Sequence, residues 1–146
     1  MSVFKADLFK GKHLFVTGGS SGINLGIATA FAEHGAKVSL NGRKVDKLEA
    51  AVAGLTSRGF PAASFAADVR DFAAVTQALE GAVAKHGPID VLICGAAGNF
   101  PAPVVGLSTN GFKAVVDIDL VGTFNAAPVA VDEVTSACSN SLRCRV

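Results

Sequence analysis

A glycine-rich segment between a predicted strand and a predicted helix is the part of this sequence best suited to chemistry. It runs from Thr17 to Gly26 and reads Thr-Gly-Gly-Ser-Ser-Gly-Ile-Asn-Leu-Gly. Gly18 and Gly22 can adopt a positive φ and carry no Cβ, so the chain can turn tightly against a ligand. The first N–H groups and the dipole of the following helix attract phosphate. The segment therefore predicts a turn that binds a dinucleotide, with an ordinary strand-to-helix turn as the alternative.

The composition excludes several other kinds of partner. The 146 residues fit one domain, with 50% apolar and 17% charged residues. The formal charge of +1 comes without a run of lysine or arginine, so no nucleic-acid surface is predicted. No segment approaches the ~20 apolar residues of a membrane span, and charges stand where a secretory signal would be apolar. We expect a soluble, cytoplasmic protein that contacts neither nucleic acid nor membrane.

The cysteines and histidines are placed for structure and not for metal binding. Cys94, Cys138 and Cys144 have no C-x-x-C spacing, so we expect reduced thiols and no metal site. His34 and His86 each precede a glycine at a predicted helix end. There a protonated histidine would favour the helix dipole, and the glycine would end the helix.

The spacing of apolar residues predicts the strands and helices that would position the glycine-rich segment. The predicted strands cover residues 13–16, 37–40, 62–67 and 89–94. The predicted helices cover residues 23–34, 44–55 and 71–86, with Asp71 as the cap of the last. The unbroken apolar run at 89–94 is typical of a parallel strand covered on both faces. This alternation predicts an α/β fold with a doubly wound parallel sheet, whose ligand lies beyond the carboxyl ends of the strands.

The last third of the chain is predicted to differ from that alternation. A long helix is expected from Leu107, with Phe112, Leu120 and Phe124 among the residues distributed around a buried element. Pro128 is expected to interrupt this helix, because proline removes a backbone donor and costs ~3 kcal/mol inside a helix. We expect an ordered domain over 1–125 and a divergent, poorly ordered tail over 126–146.

The end of the second predicted strand bears on the choice of dinucleotide. About 20 residues past the glycine loop, NAD-binding proteins of this type usually offer an acid to the adenosine ribose. This chain has Asn41-Gly42-Arg43 instead. Gly42 leaves room, and the Arg43 guanidinium can hold a 2′-phosphate through paired hydrogen bonds. NADP(H) is therefore the predicted coenzyme, and a solvated surface arginine is the alternative.

These motifs resemble the short-chain dehydrogenase/reductase family. Its pattern T-G-x-x-x-G-x-G is matched by Thr17, Gly18 and Gly22, with Asn24 in place of the last glycine. The segment 94–100 resembles the family's N-N-A-G motif, with Cys94 at its leading Asn, and its Ala-Ala-Gly-Asn-Phe form is similar to the 2,4-dienoyl-CoA reductase branch. The resemblance covers about the first 125 residues. It implies a Rossmann-like doubly wound parallel sheet, here truncated after about four strands.

The resemblance also implies which residues form the site. Asp68-Val69 stands where the family meets the adenine ring, with a helix-leading acid as the alternative. Asp119 stands where most relatives have an active-site Asn, so it is a candidate proton relay or water-positioning carboxylate; alternatively, it and Asp117 only solvate a helix. The implied coenzyme-binding residues are Thr17, Gly18, Ser20, Ser21, Gly22, Ile23, Arg43, Asp68, Val69, Cys94, Gly95 and Ala96.

Three functions follow from these motifs. The resemblance implies an NADP(H)-dependent oxidoreductase that reduces an unsaturated acyl-CoA, with this chain as the coenzyme-binding portion. The family's usual acid is the tyrosine of Y-x-x-x-K, and this sequence has no tyrosine, which favours a catalytically inactive nucleotide-binding fragment. An interaction protein that uses the apolar edge of the fourth strand is the third option. The identity of the substrate and the presence of a homo-oligomer stay open.

Overall fold

The fold is a parallel sheet with helices on both faces. A computed structural model describes residues 4–99 and 101–138, the last eight of these by their backbone alone. The strands are β1 His13–Thr17, β2 Lys37–Gly42, β3 Ala62–Ala66 and β4 Val91–Cys94. The helices are α1 Gly22–Glu33, α2 Val45–Thr56, α3 Phe72–His86, α4 Thr109–Val116 and α5 Gly122–Cys138. A short 3₁₀ turn, Val104–Gly106, precedes α4, and a π-helical segment, Asp117–Val121, joins α4 to α5.

The sheet confirms the predicted α/β architecture. Its strand order is β3-β2-β1-β4, and every described pairing is parallel. Thr17, at the end of β1, lies beside Asn41 of β2 and Cys94 of β4. The carboxyl ends of the central strands therefore meet at one edge, where ligands bind in sheets of this type. The predicted cap of α3 is also confirmed, because the Ala74 N–H donates to the Asp71 carboxylate over 3.0 Å.

Successive residues of β1 face opposite sides of the sheet, so the core has two layers. Leu14 and Val16 pack on one face, together with buried residues of α1 and α2 such as Leu48. Phe15 points to the other face and packs against Leu79 of α3 and buried residues of α5. Because successive strand residues face opposite sides, a central strand covered on both faces has to be apolar at every position that meets a helix. The most deeply buried strand thus leads directly into the glycine-rich loop.

β4 is covered on both faces, as predicted. Val91 and Ile93 pack against one core layer, and Leu92 and Cys94 pack against the other. Its residues are still only half-buried, because no strand among the described residues pairs with its outer edge.

The prediction of a buried helix after Leu107 is wrong. Phe112, Leu120 and Phe124 are exposed. Within residues 122–130 of α5, Asn125 and Ala126 are buried against the core, whereas Phe124 and Pro128 are exposed.

Pro128 does not end the helix. α5 continues from Gly122 to Cys138 with Pro128 inside it. Proline leaves the carbonyl four residues earlier, on Phe124, without its helical donor. Both residues are exposed, so water can satisfy that carbonyl. The helical backbone covers 126–138, the described part of the predicted tail; residues 139–146 lie outside the described residues.

A cluster of polar side chains lies at the amino edge of the sheet, opposite the glycine loop. The buried His13 ring has its Nδ1 2.8 Å from the Gly87 carbonyl and its Nε2 2.8 Å from the Ser39 hydroxyl. The His86 ring lies 5.3 Å from it, and its buried Nε2 has no partner among the described residues. Burial, helped by the charge of His13 and Lys37, lowers the pKa of His86 to about 4. The expectation of a protonated His86 at the helix end is therefore wrong.

This cluster makes stability depend on pH in a predictable direction. The unfolded chain takes up the proton at its ordinary pKa of 6.5, whereas folded His86 resists protonation down to about 4. Stability is therefore full above pH 6.5 and is lost as the pH falls through that window. We expect H86Q to remove part of this loss of stability. The variant should lose about 3 °C less in Tm than wild type over the window, a small difference because solvent screens a half-buried group. Thermal unfolding across the window measures it, with H34Q as the matched control; equal losses in wild type and H86Q would contradict it.

Candidate functional site

A cleft of ≈ 350 Å³ opens at the carboxyl edge of the sheet. The glycine loop supplies Gly18, Ser20 and Ser21 to its wall. The ends of β2 and β3 contribute the predicted residues Arg43, Asp68 and Val69. The segment after β4 contributes Gly95 and Ala96. The structure thus brings together eight of the predicted coenzyme-binding residues, which are far apart along the chain.

The glycine loop has the backbone that its sequence predicts. Gly18 has a φ of +68° and Gly22 a φ of +61°. A Cβ at Gly18 would lie 2.8 Å from the Ala96 Cα, whereas one at Gly22 would meet nothing within 4 Å. Gly18 is therefore required by both its φ and its neighbour, and Gly22 by its φ alone.

The first turn of α1 has no side-chain cap and no acidic residue. Ser21 occupies the N-cap position in an extended conformation, and its hydroxyl does not cap the helix. No acidic residue lies in the first turn of α1. The exposed amide groups of this turn can therefore bind a phosphate. Ile23, also predicted to touch the coenzyme, is 83% exposed and does not line the cleft.

Thr17 supports the glycine loop through hydrogen bonds and does not line the cleft. Its side chain is buried, and its hydroxyl oxygen accepts the Gly95 and Ala96 N–H groups, each over 3.1 Å. The Gly19 N–H donates to the Asn41 carbonyl over 3.0 Å. These bonds tie the glycine loop to the segment after β4 and to the end of β2. Thr17 thus acts on the site through the backbone that it positions.

The end of β2 forms a cationic wall. Arg43, Lys44 and Lys47 are exposed, and all three line the cleft. From the sequence, only Arg43 was predicted at this wall. Lys44 and Lys47 could also have been predicted, because they follow Arg43 by one and four residues at the start of α2. A Cβ at Gly42 would make only ordinary contacts, 3.6 Å from Leu48 and 3.8 Å from the Ser20 hydroxyl. The three cations of the wall can attract a phosphate.

Asp68 is held as an anion at the edge of the cleft. Both of its carboxylate oxygens accept from the Arg70 guanidinium, over 3.0 and 2.6 Å. That ion pair, together with the Arg70 N–H, holds the pKa of Asp68 below its usual range. The next residue, Val69, is buried, and its carbonyl accepts from the Asn125 carboxamide over 2.9 Å. A fixed carboxylate can accept an amino group of a ligand base.

Asp119 and Cys94 do not line the cleft. Asp119 lies on the π-helical segment, is exposed, and accepts the Gly98 N–H over 2.8 Å. Asp117 instead pairs with Lys113 over 2.7 Å, so the two acids have different partners. Burial raises the pKa of the Cys94 thiol, which keeps it uncharged. Asp119 therefore contacts the segment that leads away from the cleft and can act only on a group that extends beyond it.

Neither a metal site nor a membrane helix is found in the part of the chain that the structure describes. No three His, Cys, Asp or Glu side chains at 4–99 and 101–138 are grouped so that they could hold a metal ion. No described helix has both the length and the apolar character needed to cross a bilayer. The expected cytoplasmic location stays a prediction.

The comparisons with known proteins decide the family. The model of the short chain dehydrogenase family matches residues 12–139. The chain belongs to that family. This result confirms the resemblance inferred from the glycine loop and from the segment after the fourth strand.

The curated relatives are enzymes of more than one substrate class. Over 130 residues the chain is 41% identical to the peroxisomal 2,4-dienoyl-CoA reductase of Arabidopsis thaliana, covering 89% of this chain and 44% of that protein. The corresponding protein of Saccharomyces cerevisiae is 41% identical over 134 residues, with coverages of 89% and 46%. The 3-dehydrosphinganine reductase TSC10A of Arabidopsis thaliana is 41% identical over 123 residues, with coverages of 84% and 36%. The chain thus spans less than half of each of these relatives.

Solved structures of the same family share the fold. The citronellol catabolism dehydrogenase AtuB of Pseudomonas aeruginosa superposes with a TM-score of 0.84 at 36% identity, covering 90% of this chain and 54% of that one. A dehydrogenase/reductase of Sinorhizobium meliloti superposes with a TM-score of 0.82 at 31% identity, with coverages of 87% and 51%. The four-stranded Rossmann-like sheet of this chain therefore has the fold of the family. The chain spans about half the length of these two structures.

Proposed function

We propose that the cleft binds NADP(H). The observation that carries this proposal is the placement of the uncapped first turn of α1 opposite Arg43, Lys44 and Lys47, with no acid from the end of β2 between them. Two anionic groups of one ligand could then be held at once, a pyrophosphate by the amides and a 2′-phosphate by the cations. An acid at the end of β2, the usual partner of the NAD ribose, would repel that second phosphate.

The remaining walls fit the rest of such a coenzyme. The lack of a Cβ at Gly18 lets the glycine loop pack closely against Ala96, and both residues line the cleft. Asp68, held ionised by Arg70, can accept an adenine amino group. When bound, NADPH supplies a hydride to an unsaturated substrate. The residues of this chain would bind and orient the coenzyme, and these roles stay proposals for each residue of the site.

The proposed reaction is the reduction of an unsaturated acyl-CoA. The peroxisomal relatives are named as 2,4-dienoyl-CoA reductases that produce a (3E)-enoyl-CoA, and 41% identity extends over 130 residues. The 3-dehydrosphinganine reductase is equally identical over a similar span, so the coenzyme half alone does not choose between these substrates. The Ala-Ala-Gly-Asn-Phe form of the segment after β4 favours the dienoyl-CoA. Asp119 is the proposed proton-relay or water-positioning residue of that reaction.

A second candidate function is a nucleotide-binding fragment without turnover. The observation that favours it is the absence of tyrosine from these 146 residues, because the family's Y-x-x-x-K acid requires one. In that case residues 1–146 bind coenzyme as proposed but do not by themselves complete the transfer. Coenzyme binding and turnover therefore have to be measured separately.

Coenzyme choice tests the first proposal. R43A should weaken NADPH binding by about tenfold or more, since a charged hydrogen-bonding partner of the 2′-phosphate is lost. NADH binding should change little, because NADH lacks that phosphate. Isothermal titration calorimetry of both coenzymes measures this difference. R58A is the matched control, because Arg58 pairs with Glu33 outside the cleft; equal losses of NADPH and NADH in R43A would contradict the assignment.

Turnover separates the enzyme from the fragment. Consumption of NADPH with a 2,4-dienoyl-CoA is expected if the chain is catalytic, and D119N should then lower the rate by about a hundredfold. D117N is the control, since Asp117 pairs with Lys113 on the surface. Binding of NADPH without turnover would support the fragment. An unchanged rate and pH profile in D119N would remove the proposed role of Asp119.

A further inference from the structure

Asn24 stands at the position where the family pattern has its last glycine, and its side chain makes two hydrogen bonds. It lies in the first turn of α1, is half-buried and lines the cleft. Its Nδ2 donates to the Gly95 carbonyl over 2.6 Å and to the Gly18 carbonyl over 3.3 Å. One carboxamide thus bridges the two backbone segments that form the phosphate end of the cleft.

Both of the peptide groups that Asn24 contacts are also held at their nitrogen end. In the Gly18–Gly19 peptide, the Gly19 N–H donates to the Asn41 carbonyl over 3.0 Å. In the Gly95–Ala96 peptide, the Ala96 N–H donates to the Thr17 hydroxyl over 3.1 Å. Glycine peptides rotate easily because no Cβ restricts them. With Asn24 present, each of these peptide planes is fixed at its oxygen as well as at its nitrogen.

The space that Asn24 fills depends on Gly95. A Cβ added at Gly95 would overlap the Asn24 carboxamide, lying 2.5 Å from its Cγ and its Nδ2. The family pattern that this sequence resembles has glycine at position 24, and the second Asn of its N-N-A-G motif falls at position 95; this chain has Asn24 and Gly95 instead.

We propose that Asn24 is a positioning residue for the coenzyme, and that Asn24 and Gly95 act as one unit. The carboxamide orients the Gly18–Gly19 and Gly95–Ala96 peptides before the ligand arrives, which lowers the entropy that binding has to overcome. Gly95 is required because any side chain there displaces the carboxamide. The effect of Asn24 and Gly95 on coenzyme affinity rests on the proposed function. Their effect on the stability of the ligand-free protein does not depend on that function.

A double-mutant cycle tests this coupling. N24G removes the carboxamide, and G95A displaces it, so each should raise the Kd of NADP⁺ by about tenfold. The double variant N24G/G95A should also lose about tenfold, because the same bonds are lost only once. G54A is the control for an added methyl group, since a Cβ there meets nothing within 4 Å in α2. Multiplied losses of about a hundredfold in the double variant, or no loss in N24G, would overturn the proposal.

N24L separates hydrogen-bond donation from space filling. Leucine is branched at Cγ like asparagine and carries no charge, but it donates no hydrogen bond. N24L should therefore bind NADP⁺ about tenfold more weakly than wild type. Affinity equal to that of wild type would show that donation is not needed and would contradict the proposal.

The same variants distinguish a failure of this inference from a failure of the proposed function. If wild type binds no NADP⁺, the coenzyme proposal fails, and the cycle is then measured on the Tm of the ligand-free protein. Non-additive Tm losses in N24G, G95A and N24G/G95A would still support the coupling of the two residues. Additive Tm losses would overturn it.

Discussion

The site depends on the close approach of two backbone segments at the carboxyl edge of the sheet. A Cβ at Gly18 would lie 2.8 Å from the Ala96 Cα, so the glycine loop and the segment after β4 approach backbone to backbone, and the Thr17 and Asn24 side chains bond across the contact. β1 and β4 are neighbours in the sheet, which brings these segments together. Gly18, Asn24, Gly95 and Ala96 all line the cleft beside this contact, so the proposed phosphate end of the site depends on it.

Three asparagine carboxamides connect segments at this edge. Asn24 bonds to the Gly18 and Gly95 carbonyls, Asn41 to the Phe65 carbonyl of β3 over 2.9 Å, and Asn125 to the Val69 carbonyl over 2.9 Å. Each joins segments that belong to different strands or helices. A carboxamide donates to such carbonyls without adding charge near a phosphate. The edge is thus ordered by neutral donors, while Arg43 and its neighbouring lysines supply the charge.

The elements of the first half were predictable because local patterns decide them. The alternating and periodic apolar residues placed β1 to β4 and α1 to α3 within about two residues of their bounds, and the glycines identified the loop. Asp71 was predictable as a cap from its position alone. The family resemblance rested on the same short motifs, which is why it held while the second half was misjudged.

The rest required tertiary information. Pro128 inside α5 is tolerated because Phe124 and Pro128 are exposed, a fact that no local pattern contains. The low pKa of His86 arises from its burial beside His13, which comes from a distant strand. The bond from Asn24 to Gly95 spans 71 residues of sequence, so the sequence showed only that a glycine had been replaced. Local sequence thus predicted the loop, but not the contacts that fix it.

The central claim is that the pyrophosphate of NADP(H) binds to the free amides at the start of α1. An amide-resolved NMR titration of the folded chain with NADP⁺ tests it most directly, because each backbone N–H is observed separately. The account predicts the largest shifts at the amides of Ser20, Ser21, Gly22 and Ile23, with further changes at Arg43. A well-dispersed spectrum in which these signals do not move at saturating coenzyme, or in which only signals outside the cleft move, would contradict it.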